Sequence, residues 1–522
     1  MSFRRVARAA AVVAAILLWA ACGQIYRPVV IPCTGNSGLP SCPYEPPPTP
    51  SNFHAVYAIY ANAPSGINAS APNYPGGAMQ IDVTGDSIIA ETPSNDNKFG
   101  NNPTNAAIVP NNSRVFVASA GSVFAGGLDL VSSFTTAPQL GNLSGFGPVN
   151  SIALPTGSQP VFVNTTQNST VYVANYGTNS LSAISTTTNV VTNTVSVGTN
   201  PVAIAELPNA LKLYVANQGN NTISTLNTAN LTGNTVSGLV GGFTGLTPVW
   251  MAARSDSQKV YVISQADGQL WTIDSLTDSI ACGATCSLPV GVGVNFIYYD
   301  PNLNRLYVTN PATSMLYVFS DTGGVNDTPL QLAAISFAAG SAMCPSGCSP
   351  ESVTALADGS RFYVASYRTA AACPDPVIGS ASACVIPALS VFDAISLLPE
   401  VTPALTLLAW SPSGTLSGSF APNQYAVLPS TACTVTTPYS PTTTRFRVFT
   451  TASADSSRVY VSMCDAGAIA DINTTDNNAN NPEGGLPSDT LVTDLPAAFG
   501  SGPIQKNGEP ANQSPLFMLT GQ

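Results

Sequence analysis

From Thr170 to Ser185 the chain alternates apolar and small polar residues, breaks at Asn175-Tyr176-Gly177-Thr178-Asn179, and alternates again. Forty-two residues further on, "KLYVANQGNNTISTLN" repeats the pattern. Short period-two runs divided by Asn and Gly predict strands joined by tight turns, because side chains alternate faces along a strand and Asn and Gly accept left-handed backbone. The clearest copy runs from Pro201 to Val240: "PVAIAELPNA", "LKLYVANQG", "NTISTLN" and "NTVSGLV". This reads as a four-stranded antiparallel meander.

The second strand of that unit is the easiest to follow. It recurs with an aromatic residue at Phe116, Tyr172, Tyr214, Tyr261, Tyr307, Tyr363 and Tyr460, and a more degenerate copy, "HAVYAIYANA", opens the series at His54. Spacings of 42, 47 and 46 in the middle of the series give the basic unit, and longer gaps mark insertions. A third strand follows each copy, which makes eight units. One small sheet cannot cover both of its faces, so a run of such units must stack on its neighbours, and radial stacking of four-stranded blades is a β-propeller.

The repeat resembles the YVTN-type β-propeller repeat, whose signature stands here as Tyr307-Val308-Thr309-Asn310. The resemblance covers roughly residues 53–522 and implies seven or eight blades, with the repeated Tyr or Phe packed between them. The first unit starts at its second strand, whereas the chain ends in "SPLFMLTGQ", which is similar to an isolated first strand. Pairing the two would close the ring and leave no free inner edge. An irregular insertion is expected at about 365–444, and it is the first place to look for partner recognition.

The N-terminus changes the picture from fold to compartment. Arg4, Arg5 and Arg8 precede an apolar run, Ala9 to Leu18, too short to span a membrane, so residues 1–21 read as a signal peptide. Ala20-Ala21 before Cys22 resembles the bacterial lipoprotein signal, with Trp19 in place of its usual aliphatic residue; this implies lipidation of Cys22, and Gly23 resembles the outer-membrane-sorted kind. Residues 22–52 form a Pro-rich tether. The other ten cysteines fall into close partners, Cys33 with Cys42, Cys282 with Cys286, Cys344 with Cys348 and Cys373 with Cys384, leaving Cys433 to Cys464. That even number fits disulfides in an oxidising compartment, outside the cytoplasm in the cell envelope or beyond; a metal site is disfavoured by CxxxC spacing.

Charged residues make up only 8% of the chain. Without the signal, thirteen basic residues face 27 acidic ones, a formal charge of −14. Such a surface repels nucleic acid and anionic lipid, so any membrane attachment is expected through the N-terminal lipid alone.

Catalytic chemistry is sparse. His54 is the only histidine, which excludes multi-histidine metal sites. No nucleophile elbow, phosphate loop or dinucleotide fingerprint is present. Asp82, Asp274 and Asp393 recur near the end of the third strand and read as turn residues, or alternatively as carboxylates around one mouth suited to Ca2+ or another divalent ion. Asp471 to Gly485 offers alternating oxygen ligands without EF-hand spacing. Trp250, Trp271 and Trp410 fall in expected strands and read as core. The expectation is a monomeric, non-catalytic binding or scaffold protein for a protein or glycan partner, with no cofactor. Its alternative is a hydrolase resembling propeller lactonases, with at least three acidic side chains converging on the channel around a divalent ion.

Overall fold

The computed structural model describes residues 55–62, 76–83, 87–91, 99–124, 126–136, 149–231, 247–280, 287–324, 327–408, 424–434, 446–475, 488–496 and 513–520. They form eight antiparallel sheets, seven of them contiguous in sequence at 103–153, 160–196, 201–227, 248–289, 296–336, 349–406 and 448–496. These are blades two to eight. Blade one joins the ends of the chain: its strands Ala55–Asn62, Gly76–Asp82 and Ser87–Glu91 are completed by the C-terminal strand Gln513–Thr520, which pairs antiparallel with Ala55–Asn62. The innermost strand of each blade contacts that of the next, from Pro103–Ile108 round to Val448–Ala452, then Gln513–Thr520 and back to Pro103–Ile108. The fold is therefore an eight-bladed propeller closed by the expected clasp.

The turns obey the chemistry written in the sequence. Most second-to-third-strand turns carry one residue with left-handed backbone, among them Asn179, Asn221, Gly268, Ser314 and Gly467, with φ between 54° and 64° at these positions. Blade four shows three strands among the described residues, since "NTVSGLV" lies outside them. In blade five the outer position is split between Ser279–Ile280 and Ser287–Pro289.

Inner strands leave amides on the axis side that have no partner within their own sheet. Polar side chains of the preceding blade take up several: Asn105 Oδ1 accepts from Val163 N at 3.1 Å, Asn164 Oδ1 from Glu206 N at 3.2 Å, Ser352 Oγ from Thr450 N at 3.0 Å and Thr354 Oγ1 from Ala452 N at 3.1 Å. The blades are thus hydrogen-bonded to one another as well as packed, which removes the exposed edge that an open sheet would keep.

Two faces follow from this topology. The mouth face carries the starts of the inner strands and the second-to-third turns. The base face carries the first-to-second and third-to-fourth turns, the start of Ala55–Asn62 and the end of Gln513–Thr520. The region from 365 to 444 is partly blade seven itself: Ala365 is buried within Arg361–Ala370, which pairs with Cys384–Asp393 along ten residues and so projects beyond the six-residue hairpins of blades three to six. Disulfides join Cys373 to Cys384 at the tip of this hairpin, Cys344 to Cys348 before blade seven, and Cys433 to Cys464. Cys22, Cys33, Cys42, Cys282, Cys286, His54 and Trp410 lie outside the described residues.

Candidate functional site

One register position of the inner strand decides what fills the ring axis. The third residue of that strand is Phe162 in blade three and Trp250 in blade five, and the matching register holds Phe296 in blade six, Phe449 in blade eight and Phe517 in blade one. Trp250 meets Phe162 at 5.1 Å and Phe296 at 5.2 Å between ring centroids, both edge-to-face. Phe446, just before the inner strand of blade eight, joins the two sides of the ring, lying 5.7 Å from Trp250, 5.7 Å from Phe296, 5.2 Å from Phe449 and 6.1 Å from Phe517. Edge-to-face contact suits ring quadrupoles and adds to the gain from burial. The axis at this level is an aromatic core.

A strap covers that core on the mouth face. Residues 424–434 start against the blade-seven hairpin, where Asp375 Oδ2 accepts from Tyr425 N at 2.5 Å and Ala426 N at 2.8 Å and Val385 pairs with Val427. They end at the Cys433–Cys464 bridge, with Ala432 and Cys433 buried in the axial cluster. Ser430 N donates to Asp465 Oδ1 at 2.8 Å.

Beside the strap sits a buried carboxylate, Glu351. Glu351 Oε2 accepts from Arg447 N at 2.7 Å and Val448 N at 3.0 Å, while the Arg447 guanidinium meets Asp465 Oδ2 at 2.7 Å and stands 5.5 Å from the Tyr367 ring centre. Burial pushes the Glu351 carboxyl up to about 8, against the pull of those two amides and of Arg447. Burial likewise raises Asp465, opposed by Arg447, and takes Tyr367 to about 12, helped by the nearby Glu351 charge. The arrangement links blade seven to blade eight. It holds one ion pair, Arg447 with Asp465, beside a carboxyl whose burial favours the protonated form.

The repeated aromatics occupy positions between blades: Phe116, Tyr172, Tyr214, Tyr261, Tyr307, Tyr363 and Tyr460 are all fully buried. The structure adds a partner that the sequence did not suggest. In three junctions the tyrosine and a cation two residues before it grip one aspartate of the next blade. Asp278 takes Tyr214 Oη at 2.5 Å and Lys212 Nζ at 2.9 Å; Asp321 takes Tyr261 Oη at 2.6 Å, Lys259 Nζ at 2.9 Å and Arg254 Nη1 at 3.2 Å; Asp489 takes Tyr363 Oη at 2.6 Å and Arg361 Nη1 at 3.5 Å. Between blades three and four, Tyr172 reaches Glu206 through Gln167, and burial holds Glu206 at about 7. Blade one has its own version in Tyr57, which donates to Thr136 O at 3.1 Å.

The aspartates singled out by the repeat serve their own turns. Asp274 accepts from Leu276 N and Thr277 Oγ1, and Asp393 from Ile395 N and Ser396 N. The side chain of Asp82 lies outside the described residues. Asp471 and Asn473 belong to the strand Ala468–Asn473 and face Arg458, at 3.7 Å and 3.1 Å; 476–487 are not among the described residues. Trp250 is on the axis, and Trp271 Nε1 donates to Asp267 Oδ2 at 3.2 Å. Among the described residues no three His, Cys, Asp or Glu side chains come together as a metal site would require.

A signal for the axis was present in the sequence. Trp250, Phe296 and Phe449 each stand nine residues before the cation of the second strand, Lys259, Arg305 and Arg458. Glu351, Arg447 and Asp465 had none, because the contact joins segments almost a hundred residues apart.

No family model and no curated protein sequence matches the chain. Solved structures with a similar fold include the periplasmic gluconolactonase of Pseudomonas aeruginosa, 12% identical over 89% of this chain and 99% of that one, TM-score 0.46. A putative 6-phosphogluconolactonase of Bacteroides fragilis is 13% identical over 68% and 95%, TM-score 0.45, and the hydrazine synthase of Kuenenia stuttgartiensis 14% over 70% and 91%, TM-score 0.43. At such identities and scores the likeness says nothing about this chain's activity.

Proposed function

We propose that the chain is an exported bacterial propeller of the YVTN type, anchored through a lipid on Cys22, that works as a non-catalytic binding module or scaffold for a protein or glycan. The observation that carries this reading is the aromatic filling of the axis. The place where carboxylates would have to converge around an ion is taken by Phe162, Trp250, Phe296, Phe446, Phe449 and Phe517. Binding is left to the outer surface of the mouth face, where the long blade-seven hairpin and the strap stand out and expose Val377 and Leu428. Three disulfides and the signal-like N-terminus support export.

Partner capture from envelope extract and a glycan array, each run with the full chain and with a Val377→Asp, Leu428→Asp variant, test this reading. The variant should lose the captured partner, whereas unchanged capture would move the binding surface elsewhere. The hydrolase reading has one foothold, a buried carboxyl with a raised pKa beside an arginine, which is how a catalytic acid often looks. It would run through Glu351. Turnover of a lactone panel that disappears in Glu351→Gln would establish it in place of the binding module.

A further inference from the structure

The base face carries a row of exposed apolar side chains that the binding reading leaves unused. Around five successive blades, three to seven, stand Val190, Leu211, Leu276, Leu330, Ile395 and Leu398, exposed by 51% to 82%. All lie in base-face turns or at the first residue of an outer strand beside them. Leu276 and Ile395 occupy the same position of their turns, two residues after Asp274 and Asp393. Single exposed apolar residues are ordinary, but here they recur on the same face of five neighbouring blades.

The same face holds the start of Ala55–Asn62: Ala55 pairs with Asp82 at the base end of blade one, and residues 23–54 lie between it and Cys22 in the sequence. Resting on the proposal that Cys22 is lipidated, we infer that the propeller lies base-down on the membrane, with the apolar tips of blades three to seven entering the headgroup region and the mouth face turned outward. Thirty-three residues precede Ala55 from Cys22, enough when extended to cover about 100 Å, so the tether at blade one does not stop the opposite side of the ring from reaching the bilayer. Apolar tips suit a neutral lipid surface, whereas the acidic chain would be repelled by an anionic one.

The test uses full-length protein purified with its N-terminus as processed in the cell and bound to phosphatidylcholine vesicles. Mass spectrometry first reads whether Cys22 carries acyl chains. Tryptophan is then placed at single exposed sites, Leu276→Trp and Ile395→Trp on the base and Leu128→Trp on the mouth face, and its fluorescence is compared with the parent in plain and brominated vesicles. The base sites should shift to the blue and lose their added emission in brominated lipid, and the mouth site should not. With acylated protein, quenching at none of the sites, or at Leu128→Trp alone, would overturn the base-down contact and leave the anchor intact. Unacylated Cys22 would overturn the anchor, and the contact that depends on it. A Leu276→Ser, Ile395→Ser variant, which removes only exposed side chains, should wash off vesicles more readily than the parent; equal retention counts against the contact.

Discussion

At the scale of single residues, the junction between blades six and seven departs from its neighbours. Arg305 and Tyr307 are placed like Lys212 and Tyr214, but the residue at the place of Asp278 is Leu397. Among the described residues no carboxylate of blade seven reaches Arg305 Nη1 or Tyr307 Oη, and burial raises both Asp300 and Tyr307, opposed by the nearby Arg305. Leu397 also holds a left-handed backbone, φ 60°, which Asp278 and Asp489 adopt at 53° and 58° at much lower cost for a short polar side chain. Leu397→Asp should therefore stabilise the protein by about 1 kcal/mol, since a charged hydrogen bond and relief of backbone strain outweigh the lost burial of a partly covered Leu. The denaturant midpoint checks this, and a fall in it would show that the leucine's packing matters more.

Glu351 and Glu206 set the pH dependence at the same scale. Both are held above their ordinary value by burial, to about 8 and about 7, so the folded chain keeps protons that the unfolded chain releases. Stability is fully present below the ordinary glutamate range, near 4.5, and is lost as pH rises through 7 and 8. Asp393, whose carboxyl is held low by the Ser396 and Ile395 amides, acts only below its ordinary 3.8 and leaves this window alone. The melting temperature should fall between pH 5 and pH 8, and Glu351→Gln should flatten the upper part of that fall. A melting temperature that is level or rising over this range would contradict the burial assigned to both groups.

At the scale of elements, much of the fold is legible in the sequence and most of the candidate site is not. Period-two runs and Asn/Gly turns place the second and third strands of every blade, and the lone C-terminal strand announces the clasp with Ala55–Asn62. Local pattern suffices there because each hairpin pairs with its own neighbour. The aspartates show where it stops: Asp274 and Asp393 stand out by repetition and cap their own turns, while Asp278, Asp321 and Asp489 bridge blades without any repeated spacing. Contacts between blades are set by stacking, which a strand pattern does not encode. The strap is likewise a tertiary element, fixed by Asp375 at one end and by Cys433–Cys464, 31 residues apart, at the other. Replacing both cysteines by serine should cost about 2–4 kcal/mol through the freed chain entropy. Hydrogen exchange should rise in 424–434 while the outer strands stay protected; unchanged exchange there would mean that Asp375 and Asp465 hold the strap unaided.

At the scale of the whole molecule, closure, axis and faces form one account. Eight inner strands ring an aromatic core, inter-blade hydrogen bonds and latches hold the ring, and the two faces are left for different surroundings. The central claim is that the axis is structural core and not a binding platform. It is tested most directly by equilibrium unfolding of Phe446→Ala, at the ring that joins Trp250 and Phe296 to Phe449 and Phe517. Truncating a packed core Phe should cost about 3–5 kcal/mol, with the variant still folded at low denaturant and still cooperative. A cost below about 1 kcal/mol together with lost partner or ligand binding would contradict the account and make the axis the functional site.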